Sequence, residues 1–138
     1  MAVVTETGSF AVPAQKLWEL VSDFGGIAKY MDGVDGCVVE GEGVGSLRKI
    51  PIGEGHVVES LDVLDQETFT LVYSIVSGPM PFKDYSASMA ITREGEDACL
   101  LTWTGTFEAN GIPIEKAERI AGGIYRGGIE GYRRALEL

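Results

Sequence analysis

The last quarter of the chain, Asn110 to Leu138, carries a helical repeat with five glycines inside it, and few architectures accommodate both. Pro113 suits a first helical turn, because its missing N–H would have no intrahelical partner there and its φ is already near helical. Apolar and small residues recur at Ile114, Ala117, Ala121, Ile124/Tyr125, Gly128, Tyr132 and Ala135/Leu136, while Glu115, Arg119, Arg126, Glu130, Arg133 and Glu137 take the other side. The glycines stand at 122, 123, 127, 128 and 131. Each weakens an exposed helix by roughly 0.8–1 kcal/mol relative to alanine, so a helix that keeps them is held by tertiary packing. Those on or beside the packed face either permit close approach to a sheet or leave volume unfilled. A long helix on a curved sheet, with space between them, is the shape of a container for a small apolar molecule.

The strands such a helix needs precede it. Val3 to Phe10 alternates as a first strand. Pro13 opens a short helix with Leu17, Trp18, Leu20 and Val21 on its apolar side; Gly25-Gly26 breaks it, and Ile27 to Met31 allows another turn or two. Period-2 segments follow at Gly36–Gly41, Gly45–Ile50, Gly55–Leu64, Thr68–Ser77, Tyr85–Arg93 and Ala98–Glu108, with Gly41–Gly45, Asp65–Glu67 and Arg93–Asp97 as hairpin connections. Consecutive antiparallel strands form a meander whose apolar face must be covered, and the terminal helix is the only large cover available. The expected architecture is α+β: a helix-grip fold, with a seven-stranded curved antiparallel sheet around a long C-terminal helix and two short helices near the N-terminus. At 138 residues, one domain spanning 1–138 is expected.

Composition narrows the partners. With 21 acidic and 11 basic side chains the formal charge is −10, which disfavours nucleic-acid phosphates and anionic lipid surfaces, and no basic cluster exceeds Arg133-Arg134. No run approaches the roughly 20 apolar residues needed to cross a bilayer, and the first residues lack a signal-peptide pattern. A cytoplasmic protein is expected, with Cys37 and Cys99 as thiols; no metal site and no cofactor are expected, since the cysteines lack ligand spacing and His56 is the only histidine.

Strand alternation yields a list of inward side chains. Phe69, Leu71, Tyr73 and Ile75 share a face, as do Tyr85, Ala87, Met89 and Ile91, and then Cys99, Leu101, Trp103 and Phe107. Tyrosine, tryptophan and methionine suit a ligand pocket, although a packed core shows the same pattern. Tyr73, Tyr85, Met89, Trp103 and Phe107 are therefore candidate cavity contacts, joined from the helix by Ala121, Ile124 and Tyr125. Arg48, opposite Leu47, points either into the barrel toward a ligand oxygen or out to solvent. Glu118, near the apolar edge of the helix, is a candidate ligand contact and, with His56, a weak candidate for proton transfer. Lys83 and Asp84 fall where a turn enters the sixth strand. Two loops are candidate cavity rims: Pro51 to Gly55, with Ile52, and Ser77 to Phe82, with Met80 and Phe82. No nucleophile elbow, Walker pattern or dinucleotide fingerprint is present.

Taken in order, Val-Pro-Ala-Gln-Lys-Leu-Trp-Glu-Leu-Val-Ser-Asp-Phe-Gly, Gly-Val-Gly-Ser-Leu-Arg-Lys-Ile, Glu-Ser-Leu-Asp-Val-Leu-Asp, Asp-Tyr-Ser-Ala, Thr-Trp-Thr-Gly-Thr-Phe and Tyr-Arg-Gly-Gly-Ile-Glu resemble the START/Bet v 1-like (SRPBCC) superfamily over nearly the whole chain. The resemblance is strongest to bacterial polyketide cyclase/dehydrase-like members and more distant to plant abscisic-acid receptors. It implies an apolar cavity between sheet and helix, and Arg48, Tyr73, Tyr85, Trp103, Glu118, Ile124 and Tyr125 as its contacts. Pro51–Gly55 falls at the receptors' first gate and Ser77–Phe82 at their latch, but the Ser-Gly-Leu-Pro-Ala and His-Arg-Leu words of those loops are missing. The expected function is binding of a small hydrophobic or amphipathic ligand. The alternatives are a polyketide cyclase or dehydratase acting in the same cavity, and a protein-interaction module presenting Met80 and Phe82. Oligomeric state is not legible in the sequence.

Overall fold

The computed structural model describes residues 1–138. Strand β1 (Ala2–Phe10) leads into helix α1 (Ala14–Val21), a 3-10 turn (Phe24–Gly26) and the single-turn helix α2 (Ile27–Tyr30). Strands β2 (Val38–Glu40), β3 (Leu47–Ile52), β4 (Gly55–Asp65), β5 (Thr70–Ser77), β6 (Phe82–Gly95) and β7 (Ala98–Ala109) follow, then helix α3 (Ile114–Ala135). All seven strands form one antiparallel sheet in the order β1-β7-β6-β5-β4-β3-β2. Every pair except β1 with β7 consists of sequence neighbours, so the meander is closed on one side by its first strand joining its last. This is the helix-grip fold: a curved sheet wraps the 22-residue α3, with the two short helices near the N-terminus.

Helix α3 does not lie centrally in this grip. It packs on β1 and β7, and α2 packs on its far end. Alternation along β7 buries Cys99, Leu101, Trp103 and Phe107 beneath it, while Thr102, Thr104 and Thr106 stay on the outer face. Two glycines set the spacing. A methyl group at Gly128 would sit 2.5 Å from the Trp103 ring, and one at Gly131 would overlap the Tyr30 carbonyl oxygen. Gly123 and Gly127 differ: a methyl at Gly127 would meet nothing within 4 Å, and one at Gly123 only the tip of Arg126 at 3.9 Å.

Several boundaries depart from expectation for local reasons. Pro113 and Pro13 stand just outside their helices in extended conformation, not in the first turn. Phe69 adopts a left-handed φ of 52° that ends the β4–β5 turn, so β5 starts at Thr70; the ring is nevertheless buried, stacked on Trp18 at 5.5 Å. Lys83 and Asp84 belong to a bulge inside β6, where the register against β7 shifts between Lys83 and Ser86 and Asp84 takes a φ of 50°. Pro51 and Ile52 continue β3, because β2 pairs only as far as Lys49 and leaves Pro51 no neighbour that would need its missing N–H.

Candidate functional site

Because α3 leans toward β1 and β7, the concave face over β3, β4 and β5 is left uncovered. A cavity of about 480 Å³ occupies that space. Its apolar wall comes from Ile50 and Ile52 of β3, Val57 of β4, Tyr73 and Ile75 of β5, and Phe82 and Tyr85 of β6. Ile27, Met31 and Val34 close it from the α2 side, and Met80 from the β5–β6 loop. The helix contributes Ile120, Gly123, Ile124 and Gly127, where the missing side chains make the opening, and Asp32, Glu130 and Arg134 sit at the mouth. Gly78, at φ 139°, lets the β5–β6 loop run against β4: a methyl there would lie 2.7 Å from the Val57 Cα. A methyl at Gly55 would lie 3.9 Å from the Pro79 ring, so the two expected rim loops lie side by side.

One end of the cavity is polar. Arg48 and Glu59 face each other in the β3–β4 register, and Arg48 Nε donates to Glu59 Oε1 at 2.7 Å. Arg48 Nη1 donates to the Phe24 carbonyl at 3.0 Å. The guanidinium is sandwiched between the Phe24 ring (4.1 Å) and the Tyr73 ring (5.0 Å). Both charged residues are buried, at 6 % and 8 % exposure, which is tolerated because they pair with each other. Burial, the largest single influence, pulls the Arg48 pKa down, but the Glu59 carboxylate together with Tyr73 and Tyr132 outweighs it and the net shift is upward.

A chain of hydroxyls runs from this end into the core. Trp103 Nε1 donates to the Tyr73 oxygen at 3.2 Å; the Tyr73 and Tyr85 hydroxyls lie 3.3 Å apart, and Tyr85 is hydrogen-bonded to Tyr125. Burial pushes the Tyr125 hydroxyl up to about 12, with the Tyr85 hydrogen bond acting against the rise. Tyr73 is pushed upward by burial and then by Glu59, and Tyr85 by burial and then by its two tyrosine neighbours. These hydroxyls stay protonated at neutral pH and act as hydrogen-bond donors and acceptors.

The sequence-derived residues divide cleanly. Arg48, Tyr73, Tyr85 and Ile124 line the cavity, as do Ile52, Met80 and Phe82. Met89, Trp103, Phe107, Ala121 and Tyr125 do not: they lie in the packed core, where α3 meets β6 and β7 and no space remains. Trp103 and Tyr125 stack on each other at 4.9 Å, and each reaches the site only through the hydroxyl chain. Glu118 is half-buried outside the cavity lining, and His56 is exposed on the face of β4 opposite Val57 and Glu59. Neither weak proton-transfer candidate reaches the cavity. Sequence reasoning missed Glu59, although Val57, Glu59 and Leu61 alternate with His56, Val58 and Ser60 and so place a carboxylate among inward apolar residues. It also missed Met31, Asp32 and Val34, which carry no periodic signal.

Comparison with known proteins agrees with this fold. Residues 1–137 match the family described as polyketide cyclase / dehydrase and lipid transport. The abscisic acid receptor PYL10 of Arabidopsis thaliana is 29% identical over 112 residues, 77% of this chain; the match spans 59% of the receptor's length. Among solved structures, the protein XoxI from Bacillus cereus superposes with a TM-score of 0.89 at 22% identity, covering 98% of this chain and 95% of that one. Norcoclaurine synthase from Thalictrum flavum, solved with dopamine and hydroxybenzaldehyde, superposes with a TM-score of 0.80 at 15% identity, over 98% of this chain and 86% of the enzyme. At these identities both superpositions speak for the fold alone. No helix is long and apolar enough to cross a membrane. With its helix-grip architecture and a match running from residue 1 to residue 137, the chain belongs to the polyketide cyclase / dehydrase and lipid transport family of the START/Bet v 1-like superfamily.

Proposed function

We propose that this protein reversibly binds a small hydrophobic or amphipathic molecule in the cavity over β3, β4 and β5. The observation that carries this reading is a space of about 480 Å³ with apolar walls and one fixed polar end built from Arg48, Glu59, Tyr73 and Tyr85. That volume falls within the range of small-molecule sites, and burial of the ligand's apolar surface supplies the affinity while the polar end sets its orientation. PYL10, named as a receptor for the small molecule abscisic acid, and the family's description as lipid transport support the same class of function. A cyclase or dehydratase would have to work without His56 and Glu118, which lie outside the cavity.

The test is fluorescence titration with N-phenyl-1-naphthylamine, an uncharged apolar probe, against the wild type and Gly127→Leu. Leucine at 127 projects into open space, so it fills the cavity without disturbing the packed face. Saturable enhancement in the wild type, weakened about tenfold or more in a variant with unchanged circular dichroism, is the expected result. No binding by the wild type, or equal binding by both proteins, would falsify the proposal.

A further inference from the structure

The cavity's polar end contains an arginine, yet it offers no free positive charge. The lining holds two cations, Arg48 and Arg134, and three carboxylates, Asp32, Glu59 and Glu130. Both cations are already paired with acids of the same lining: Arg48 with Glu59 at 2.7 Å, and Arg134 with Asp32 at 3.3 Å. Arg48 is the buried one, and its surroundings are filled on four sides by Phe24, Tyr73, the Phe24 carbonyl and the Glu59 carboxylate. A ligand carboxylate at the remaining Nη2 would be drawn out of water toward a pair of zero net charge. It would also lie within a few ångströms of Glu59, in surroundings that screen like-charge repulsion poorly.

Hydrogen-bonding capacity at the same end has a definite form. Trp103 occupies a lone pair of Tyr73 with its own proton, so the three tyrosine hydroxyls have three protons for two links. One O–H is left over, and when Tyr125 donates to Tyr85 it belongs to Tyr73 or Tyr85, both of which face the cavity. Glu59 is engaged through Oε1, which leaves Oε2 to accept. In that arrangement the site presents a donor and an acceptor beside a charge pair that is already balanced.

We infer that the cavity selects uncharged ligands whose polar end both donates and accepts a hydrogen bond, such as a carboxamide or an alcohol, over carboxylates of the same shape. This rests on the ligand-binding reading above and specifies the chemical class of its ligand. A matched pair tests it: naphthalene-2-carboxamide and naphthalene-2-carboxylate, titrated separately at pH 8 into ¹⁵N-labelled protein and followed by amide and Arg48 side-chain NMR shifts. The amide is expected to bind about tenfold tighter or more, with shifts centred on β3, β4 and β5. A carboxylate that binds as tightly as the amide, or tighter, overturns the inference while leaving the cavity reading intact. Silence from both ligands counts against the cavity reading itself, and the inference falls with it. Glu59→Gln supplies a second measurement, because glutamine keeps an acceptor for Arg48 Nε but removes the negative charge. In that variant the preference is expected to move about tenfold or more toward the carboxylate, and an unchanged preference overturns the role given to Glu59. If the variant does not fold, the wild-type pair still decides.

Discussion

The two sides of the α3–sheet interface use the same materials for opposite ends. Over β7, aromatic rings fill the space: Trp103, Phe107 and Tyr125 are at most 2 % exposed, and Gly128 brings the helix backbone down onto the Trp103 ring. Over β3, β4 and β5, equally apolar residues enclose a void, and Gly123 and Gly127 provide no side chain to fill it. Glycine does contrary work in the two places. On the packed side it is required by contact, and on the open side it is required by nothing in the fold. Residues that stability alone would replace mark the part of the helix reserved for something else.

Four perturbations sharpen or break this contrast, beginning with the largest. Trp103→Ala should destabilise the protein by about 3–5 kcal/mol in urea denaturation, because its neighbours are locked in dense packing and cannot collapse into the gap. A loss near that of a surface substitution would mean the packed side is looser than described. Alkaline pH should come next. Buried Tyr125 titrates near 12 when folded and near 10 when exposed, so the unfolded chain loses its proton first. The contribution of neutral Tyr125 is complete below about pH 10 and is lost as pH rises through 12, at about 1.4 kcal/mol per unit. Tyr73 and Tyr85 act in the same direction. Tyr125→Phe should flatten the alkaline limb of the stability profile, and an unaltered limb would contradict the assigned burial.

The two glycine classes give the sharpest comparison. Gly131→Ala, which sets a methyl group against the Tyr30 carbonyl, should cost about 1–3 kcal/mol. Gly127→Ala should do the reverse, stabilising the helix by about 0.5–1 kcal/mol while weakening the binding of any ligand that reaches the helix wall. Parallel urea melts of the two variants suffice. Equal signs would dissolve the distinction between packed and open glycines.

Much of the fold was legible because period-2 and period-3.6 patterns report local geometry, and local geometry here dictates the layers. The meander of consecutive strands, the covering helix and the inward faces of β6 and β7 all follow from alternation, whereas the pairing of β1 with β7 does not. The division of that inward face into core and cavity does not. Met89, Trp103 and Phe107 have the same period and character as Tyr73 and Tyr85, and only the lateral displacement of α3 toward β1 and β7 separates them. That displacement is a tertiary quantity, set by Gly128 against Trp103 and Gly131 against Tyr30, pairs far apart in the chain. Arg48 was ambiguous for a related reason: a charged residue at an inward position is sensible only with a partner, and Glu59 lies on the next strand. Its role follows from the register, not from its own neighbours in sequence.

The Arg48–Glu59 pair has a consequence for how the β3–β4 hairpin assembles. Arg48 and Glu59 are eleven positions apart and directly opposite, within the hairpin closed at Gly53-Glu54. In β3 the hydrophobic pattern alone is a poor guide to alignment, since Leu47, Ile50 and Ile52 do not alternate strictly. A slip of β3 by one residue would turn Arg48 to the outer face and leave Glu59 alone among buried apolar groups, an uncompensated charge that the misaligned state cannot offset. The pair thus acts as a spelling check on the hairpin, excluding a neighbouring alignment that oily side chains by themselves would accept.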